Sequence, residues 1–227
     1  MILKRIARLY KALKRRDLIV FPELKIDKIN LGDQFAQWTI HPMINDQSTI
    51  YSFGVGDNIS FDLALEEEFK CKIFLFDPTP RSIEWLKKQN LSSNFSFFPF
   101  GLADYDGYAD FVPPKEANHV SYSYVKNSNQ EGNKTNLEVK KLSTIMKELG
   151  DNKIDILKMD IEGAEYDVIE NIIADKIDIH QILVEFHHRM KGIGAGKTRN
   201  AIRLLKNVGY KIFSVSANGE EFSFIKT

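Results

Sequence analysis

The chain has 227 residues and no net formal charge, with 43% hydrophobic and 27% charged residues and one cysteine. That length can bury a sizeable core as one large α/β domain, and the balanced charge gives no global pointer to nucleic acid. A lone Cys71 excludes an internal disulfide and a cysteine-rich metal site, and no apolar run reaches the roughly 20 residues of a membrane-spanning helix.

Charge is unevenly spread. Residues 1–16 hold seven Lys/Arg and no acid, which leaves 24 basic against 31 acidic residues in the rest, a balance of −7. Ile2, Ile6, Leu9 and Leu13 fall on one face of the helix this spacing predicts. We read it as a terminal helix packed on the domain or on a partner subunit. Contact with an anionic membrane surface is the competing reading for a basic amphipathic helix. Charges interrupt its apolar runs, so it does not read as a secretory signal. The expected location is cytoplasmic, at most peripheral to a membrane. Residues 17–48 form an irregular lead-in, with Trp38 as its anchor.

From residue 49 an alternation begins. Thr49–Val55 reads as a buried strand that turns through Gly54-Val55-Gly56 into a helix over 58–69. Glycine lets a backbone turn sharply and come close to a ligand, and the helix behind it offers free N–H groups. Lys72–Asp77 is a second strand, and Pro80 opens a helix to Lys88. Phe95–Phe100 is a third strand ending at Gly101. Asp106-Gly107 reads as a turn into Tyr108–Val112. Residues 113–136 are rich in Asn, Ser, Lys and Gly, the composition of a long functional loop. Leu137–Leu142 reads as a short strand, with Ser143 as the cap of a helix to Leu149. Strand 154–160, helix 163–173, strand 182–186 and helix 196–207 follow. Strands 210–216 and 221–225 close the chain as a hairpin on Asn218-Gly219. Strands alternating with helices predict a mostly parallel sheet covered on both faces, with one antiparallel strand from the hairpin.

In such sheets ligands bind beyond the carboxyl ends of the strands. Those ends carry Gly54-Val55-Gly56-Asp57, Asp77, Gly101, Asp160-Ile161-Glu162-Gly163 and Glu185-Phe186-His187-His188. Polar residues at so many strand ends point to one polar ligand site. Asp77 follows the glycine turn by about 20 residues, the spacing of a carboxylate that accepts from a ribose diol. No third glycine completes a dinucleotide fingerprint, which argues against a nicotinamide cofactor.

Tyr51–Ser60, Phe76-Asp77-Pro78-Thr79-Pro80, Gly101-Leu102-Ala103, Leu157-Lys158-Met159-Asp160-Ile161-Glu162-Gly163-Ala164-Glu165-Tyr166 and Val184-Glu185-Phe186-His187 resemble the ordered motifs of the FkbM-type methyltransferases. The resemblance runs from about residue 49 to the C-terminus. It implies a class I methyltransferase (Rossmann-like) three-layer sandwich over 49–227, preceded by the basic helix and lead-in of 1–48. The sheet order it implies is 3-2-1-4-5-7-6 with the seventh strand antiparallel. It also implies S-adenosylmethionine as methyl donor. Gly54, Val55 and Gly56 would then meet the methionine part, Asp77 the ribose, Gly101 and Leu102 the adenine, and Asp160 and Glu162 the methyl-transfer site. The chain departs from the family in one respect: Gly54 stands where an acid is usual, and Asp57 is the candidate replacement.

A hydroxyl acceptor needs a base, and His187 is the candidate, with His188 second. Asp160 and Glu185 complete the expected catalytic set. The same Asp160, Glu185 and His187 could instead hold a divalent ion, a reading we do not favour. The expected activity is O-methylation of a small molecule, sugar or glycan. The alternative is a non-catalytic domain that binds a ligand or partner.

Overall fold

A computed structural model describes residues 18–112, 123–125 and 134–227. The basic helix, and most of the 113–136 loop, lie outside the described residues. Eighteen elements follow in chain order. The lead-in holds β1 (Ile29–Leu31) and β2 (Trp38–Ile40), an antiparallel pair. The alternation then runs β3 (Thr49–Phe53), α1 (Ser60–Phe69), β4 (Lys72–Phe76), α2 (Pro80–Leu86) and β5 (Phe95–Phe98). After it come β6 (Gly101–Leu102), β7 (Gly107–Val112), β8 (Ser123–Val125), β9 (Thr135–Lys140) and α3 (Leu142–Leu149). The chain ends with β10 (Ile154–Met159), α4 (Glu165–Ala174), β11 (Ile179–Glu185), α5 (Ala195–Asn207), β12 (Tyr210–Val215) and β13 (Glu221–Lys226).

Seven strands form the main sheet in the order β12-β13-β11-β10-β3-β4-β5. Counted in chain order this is the expected 3-2-1-4-5-7-6. β13 alone runs antiparallel to its neighbours, because the Asn218-Gly219 turn folds it back between β12 and β11. Gly219 takes φ +80°, a conformation open to glycine at no steric cost.

Period-two alternation sorts the core into two layers. Tyr51, Phe53, Phe76, Leu157 and Met159 face α3, α4 and α5 on one side of the sheet. Ile50, Ile73, Leu75 and Ile156 face α1, α2 and the lead-in pair on the other. Trp38 is the expected anchor: it is 6% exposed and its ring lies 6.4 Å from that of Phe61. The lead-in is also tied to the sheet by polar bonds. Gln181 both accepts from the His41 N–H and donates to the His41 carbonyl, each at 2.8 Å.

The chain bends at 104–106 and enters β7 at Gly107, where a turn is expected. β9 pairs with β6 in parallel and with β7 antiparallel, giving a second sheet ordered β6-β9-β7-β8. One local expectation is corrected: Ser143 is not a helix cap. The N-cap position of α3 is Lys141, and Ser143 Oγ donates instead to Asp175 on the far side, 2.8 Å away. Asp106 does the work at this helix start, accepting from the Lys141 N–H and the Thr144 hydroxyl at 2.8 Å each.

Candidate active site

The strand order reverses between β3 and β10, which pair side by side in parallel while their connections lead to opposite sides. A crevice opens there beyond the strand ends. Gly54, Gly56, Asp77, Gly101, Leu102, Asp160 and Glu162 all line one pocket in it. Phe53, Phe76, Pro78, Thr79, Ser82, Phe111, Ile161 and Ala164 complete the lining; of these, Ser82 and Phe111 lie outside the motifs quoted from the sequence, and none was named as a site residue. Phe53 and Phe76 form its aromatic floor, stacked at 4.2 Å with 12° between their planes.

Gly54 takes φ +74°, and a Cβ there would meet the Asp160 carbonyl oxygen at 1.7 Å. No acid can therefore stand at this position on this backbone, which gives the departure from the family a steric cause. Asp57, the candidate replacement, is not among the residues that line this pocket. It lines the adjoining cleft and pairs with Arg81 at 3.2 Å. Val55 turns its side chain into the core at 3% exposure.

Asp77 is 4% exposed. Its Oδ2 accepts from the Gly56 N–H at 3.0 Å, and its Oδ1 from the Thr79 N–H and hydroxyl. Burial pushes its carboxyl above the ordinary range, while those hydrogen bonds pull the other way. The carboxylate thus ties the glycine turn to the start of α2.

The ends of β10 and β11 make a different corner. Glu162 adopts φ +53°, a strained conformation for a side-chain-bearing residue. The turn is held by Glu165, fully buried, whose carboxylate accepts from the Ile161 and Gly163 N–H groups. The same Glu165 binds His187 Nδ1 at 2.8 Å. His187 Nε2 lies 3.6 Å from Asp160 and 3.5 Å from Glu162. Burial alone would lower the His187 pKa. The Glu165 hydrogen bond and the charges of Glu165, Asp160 and Glu162 outweigh it and raise the pKa to about 10. Glu185 moves towards neutrality from the other direction. Burial, then the charge of Asp160, lift its pKa to about 8, against the pull of His187. His188 is buried at 2% exposure.

Asp160, Glu185 and His187 offer ligand atoms within 4.8 Å of one another, so they could hold a divalent ion. Glu185 and Asp160 also line the adjoining cleft with Phe35, Trp38, Asn58, Lys158 and Asn218. That cleft is walled by the lead-in, where Asp33 accepts from Asn58 Nδ2 and so fastens residues 33–38 beside the glycine turn. Among the described residues no helix is long and apolar enough to cross a membrane.

Residues 47–212 match the family model of the methyltransferase FkbM domain. A probable methyltransferase-like protein 24 of Rattus norvegicus is 30% identical over 200 residues, covering 85% of this chain and 48% of its own length. The Homo sapiens protein of the same description is 27% identical over 210 residues, covering 89% and 50%. The chain thus spans about half the length of these curated relatives. Among solved structures, the methyltransferase FkbM from Methylobacillus flagellatus KT is 14% identical, with a TM-score of 0.49 over 80% of this chain and 44% of that one.

Proposed function

The chain belongs to the FkbM methyltransferase family, and from that premise we propose that it methylates a hydroxyl of a small molecule, sugar or glycan with S-adenosylmethionine as donor. The observation that carries the reading is the gathering of Gly54, Gly56, Asp77 and Asp160 on one pocket at the switch point of the sheet. Its donor set fits the donor molecule. A buried carboxylate suits a hydroxyl pair, a glycine turn suits close backbone approach, and apolar Pro78, Leu102 and Phe111 suit a flat base. When bound, S-adenosylmethionine supplies an electrophilic methyl group on a sulfonium.

The protein's part is mostly positioning. Asp77 accepts from the ribose hydroxyls, and Gly54 and Gly56 let the main chain approach the methionine end. Asp160 and Glu162 set negative charge beside the sulfonium position. The acceptor enters by the adjoining cleft, where Glu185 meets its hydroxyl. Glu185, not His187, takes the proton. An imidazole whose pKa stands near 10 stays protonated well above neutral pH, whereas a carboxyl near 8 gives up its proton as pH rises past neutrality and can then accept one. His187 instead holds Asp160 and Glu162 in place as a cation.

Titration calorimetry with S-adenosylmethionine, followed by methyl-transfer assays on a panel of hydroxylated acceptors, tests this. Donor binding and methylation of at least one acceptor are expected, with full activity after chelation of divalent ions. Absence of donor binding would favour the non-catalytic reading, which draws on Gly54 in place of the family's acid.

A further inference from the structure

Lys158 is a lysine inside a buried strand. It sits between Leu157 and Met159 on β10 and is 6% exposed. A charge in such a place needs a partner and a reason. Its Nζ donates to the Phe53 carbonyl at 3.2 Å and to the Gly54 carbonyl at 2.7 Å. The Phe53 carbonyl also accepts the Asp160 N–H at 3.1 Å, and the Gly54 N–H still donates to Phe76 on β4 at 3.0 Å. At Gly54 the chain then leaves the sheet with positive φ, and its carbonyl turns down onto Lys158. Above, Asp77 holds the Gly56 N–H. The turn is therefore tied at both ends.

Lys158 has a counter-charge of its own. Asp62, in the first turn of α1, is 2% exposed. Burial pushes its carboxyl up, and the charge of Lys158 and the hydroxyl of Ser52 pull against that. The Lys158 ammonium also lies 5.7 Å from the ring centroid of Trp38, with which it lines the adjoining cleft.

We propose that Lys158 is a positioning residue for the methyl donor: it clamps the Phe53 and Gly54 carbonyls so that the Gly54–Gly56 turn is already in its donor-accepting shape before binding. The proposal rests on the donor reading above. Preorganisation of this kind appears in affinity for the ligand the turn touches, because the free turn has nothing left to order.

The test separates the clamp from mere charge balance. Lys158→Met alone would leave Asp62 buried without its counter-charge, so Lys158→Met is combined with Asp62→Asn to remove both charges. The double variant is expected to keep a cooperative melt. Its Kd for S-adenosylmethionine by calorimetry should rise tenfold or more, up to the ~10²-fold that an ångström of misplacement can cost. The donor KM should rise with it, while the acceptor KM holds. Asp62→Asn alone leaves both carbonyl bonds in place and should keep wild-type donor affinity. If the double variant does not fold, Lys158→Leu with Asp62→Asn, which likewise has no donor for the two carbonyls, replaces it with the same outcomes. A folded double variant with unchanged donor affinity overturns the clamp, as does a rise confined to the acceptor KM or an equal loss in Asp62→Asn. Absence of donor binding by the unmodified chain overturns the donor reading, and the clamp with it.

Discussion

The two walls of the crevice use polar groups in opposite ways. On the β3–β4 side the polar groups that shape the glycine turn are matched within the protein, although Ser52 Oγ and Asp62 Oδ1 lie buried without a hydrogen-bond partner. Asp77 accepts from Gly56 and Thr79, and Lys158 reaches across from β10 to the Phe53 and Gly54 carbonyls. On the β10–β11 side charge stands in excess. Asp160, Glu162, Glu165 and Glu185 crowd one imidazole, and Asp160 Oδ1 is buried without a hydrogen-bond partner. Matched groups hold a shape, whereas burial and the charge of Asp160 lift the Glu185 pKa to about 8, close to the pH at which protons are exchanged. The first wall should therefore answer to mutation in affinity and stability, the second in rate and pH dependence.

The largest expected effect lies on the second wall. Glu185→Gln removes the proposed base and should lower kcat by ~10²–10³-fold, within the range of general-base contributions. The unmodified chain should show a rate that climbs with pH to a plateau above about 8, and the variant should lose that limb. A variant with the wild-type profile would move the chemistry away from this corner.

Next comes the first wall. Gly54→Ala places a Cβ against the Asp160 carbonyl at a positive φ, so destabilisation on the order of 3 kcal/mol is expected from strain and overpacking together. Thermal melts measure it, and a melt within a degree or two of wild type would show the turn to be softer than its geometry.

His187→Asn tests the corner's dependence on a cation. The His187 pKa is raised on folding to about 10. Its stabilising contribution is therefore fully present below the unfolded value, about 6.5, and is lost as pH rises through about 10. The variant should be less stable by about 2 kcal/mol at pH 6, and the gap should narrow steadily towards pH 10. A gap that does not change with pH would make the residue a plain packing element.

The smallest effect returns to the first wall. Asp77→Asn keeps the size of the side chain, but its amide nitrogen cannot accept, so either the Gly56 N–H or the Thr79 N–H loses its bond. Stability should fall by about 1 kcal/mol and donor affinity about tenfold, the equivalent of 1.4 kcal/mol.

Much of this arrangement could be read from residues alone. Buried strands announced themselves as short β-rich runs, and the polar residues just past them marked the carboxyl edge. Asn218-Gly219 announced the antiparallel strand. The second sheet was not legible, because β9 enters between β6 and β7 from some thirty residues downstream, and pairings that distant leave no local pattern. The motif block around Asp160 was visible, yet the parts played by Lys158 and Glu165 within it were not. A lysine between Leu157 and Met159 does signal a buried charge, but what it binds sits over a hundred residues away.

What the sequence determined by itself was the layer order and the list of chemically able side chains, since alternation and turn chemistry are local properties. Only the tertiary structure decided how they titrate. The His187 pKa rises to about 10 and that of Glu185 to about 8 because burial and neighbouring charge come from Glu165, Asp160 and Glu221, which meet only when β10, α4, β11 and β13 pack together.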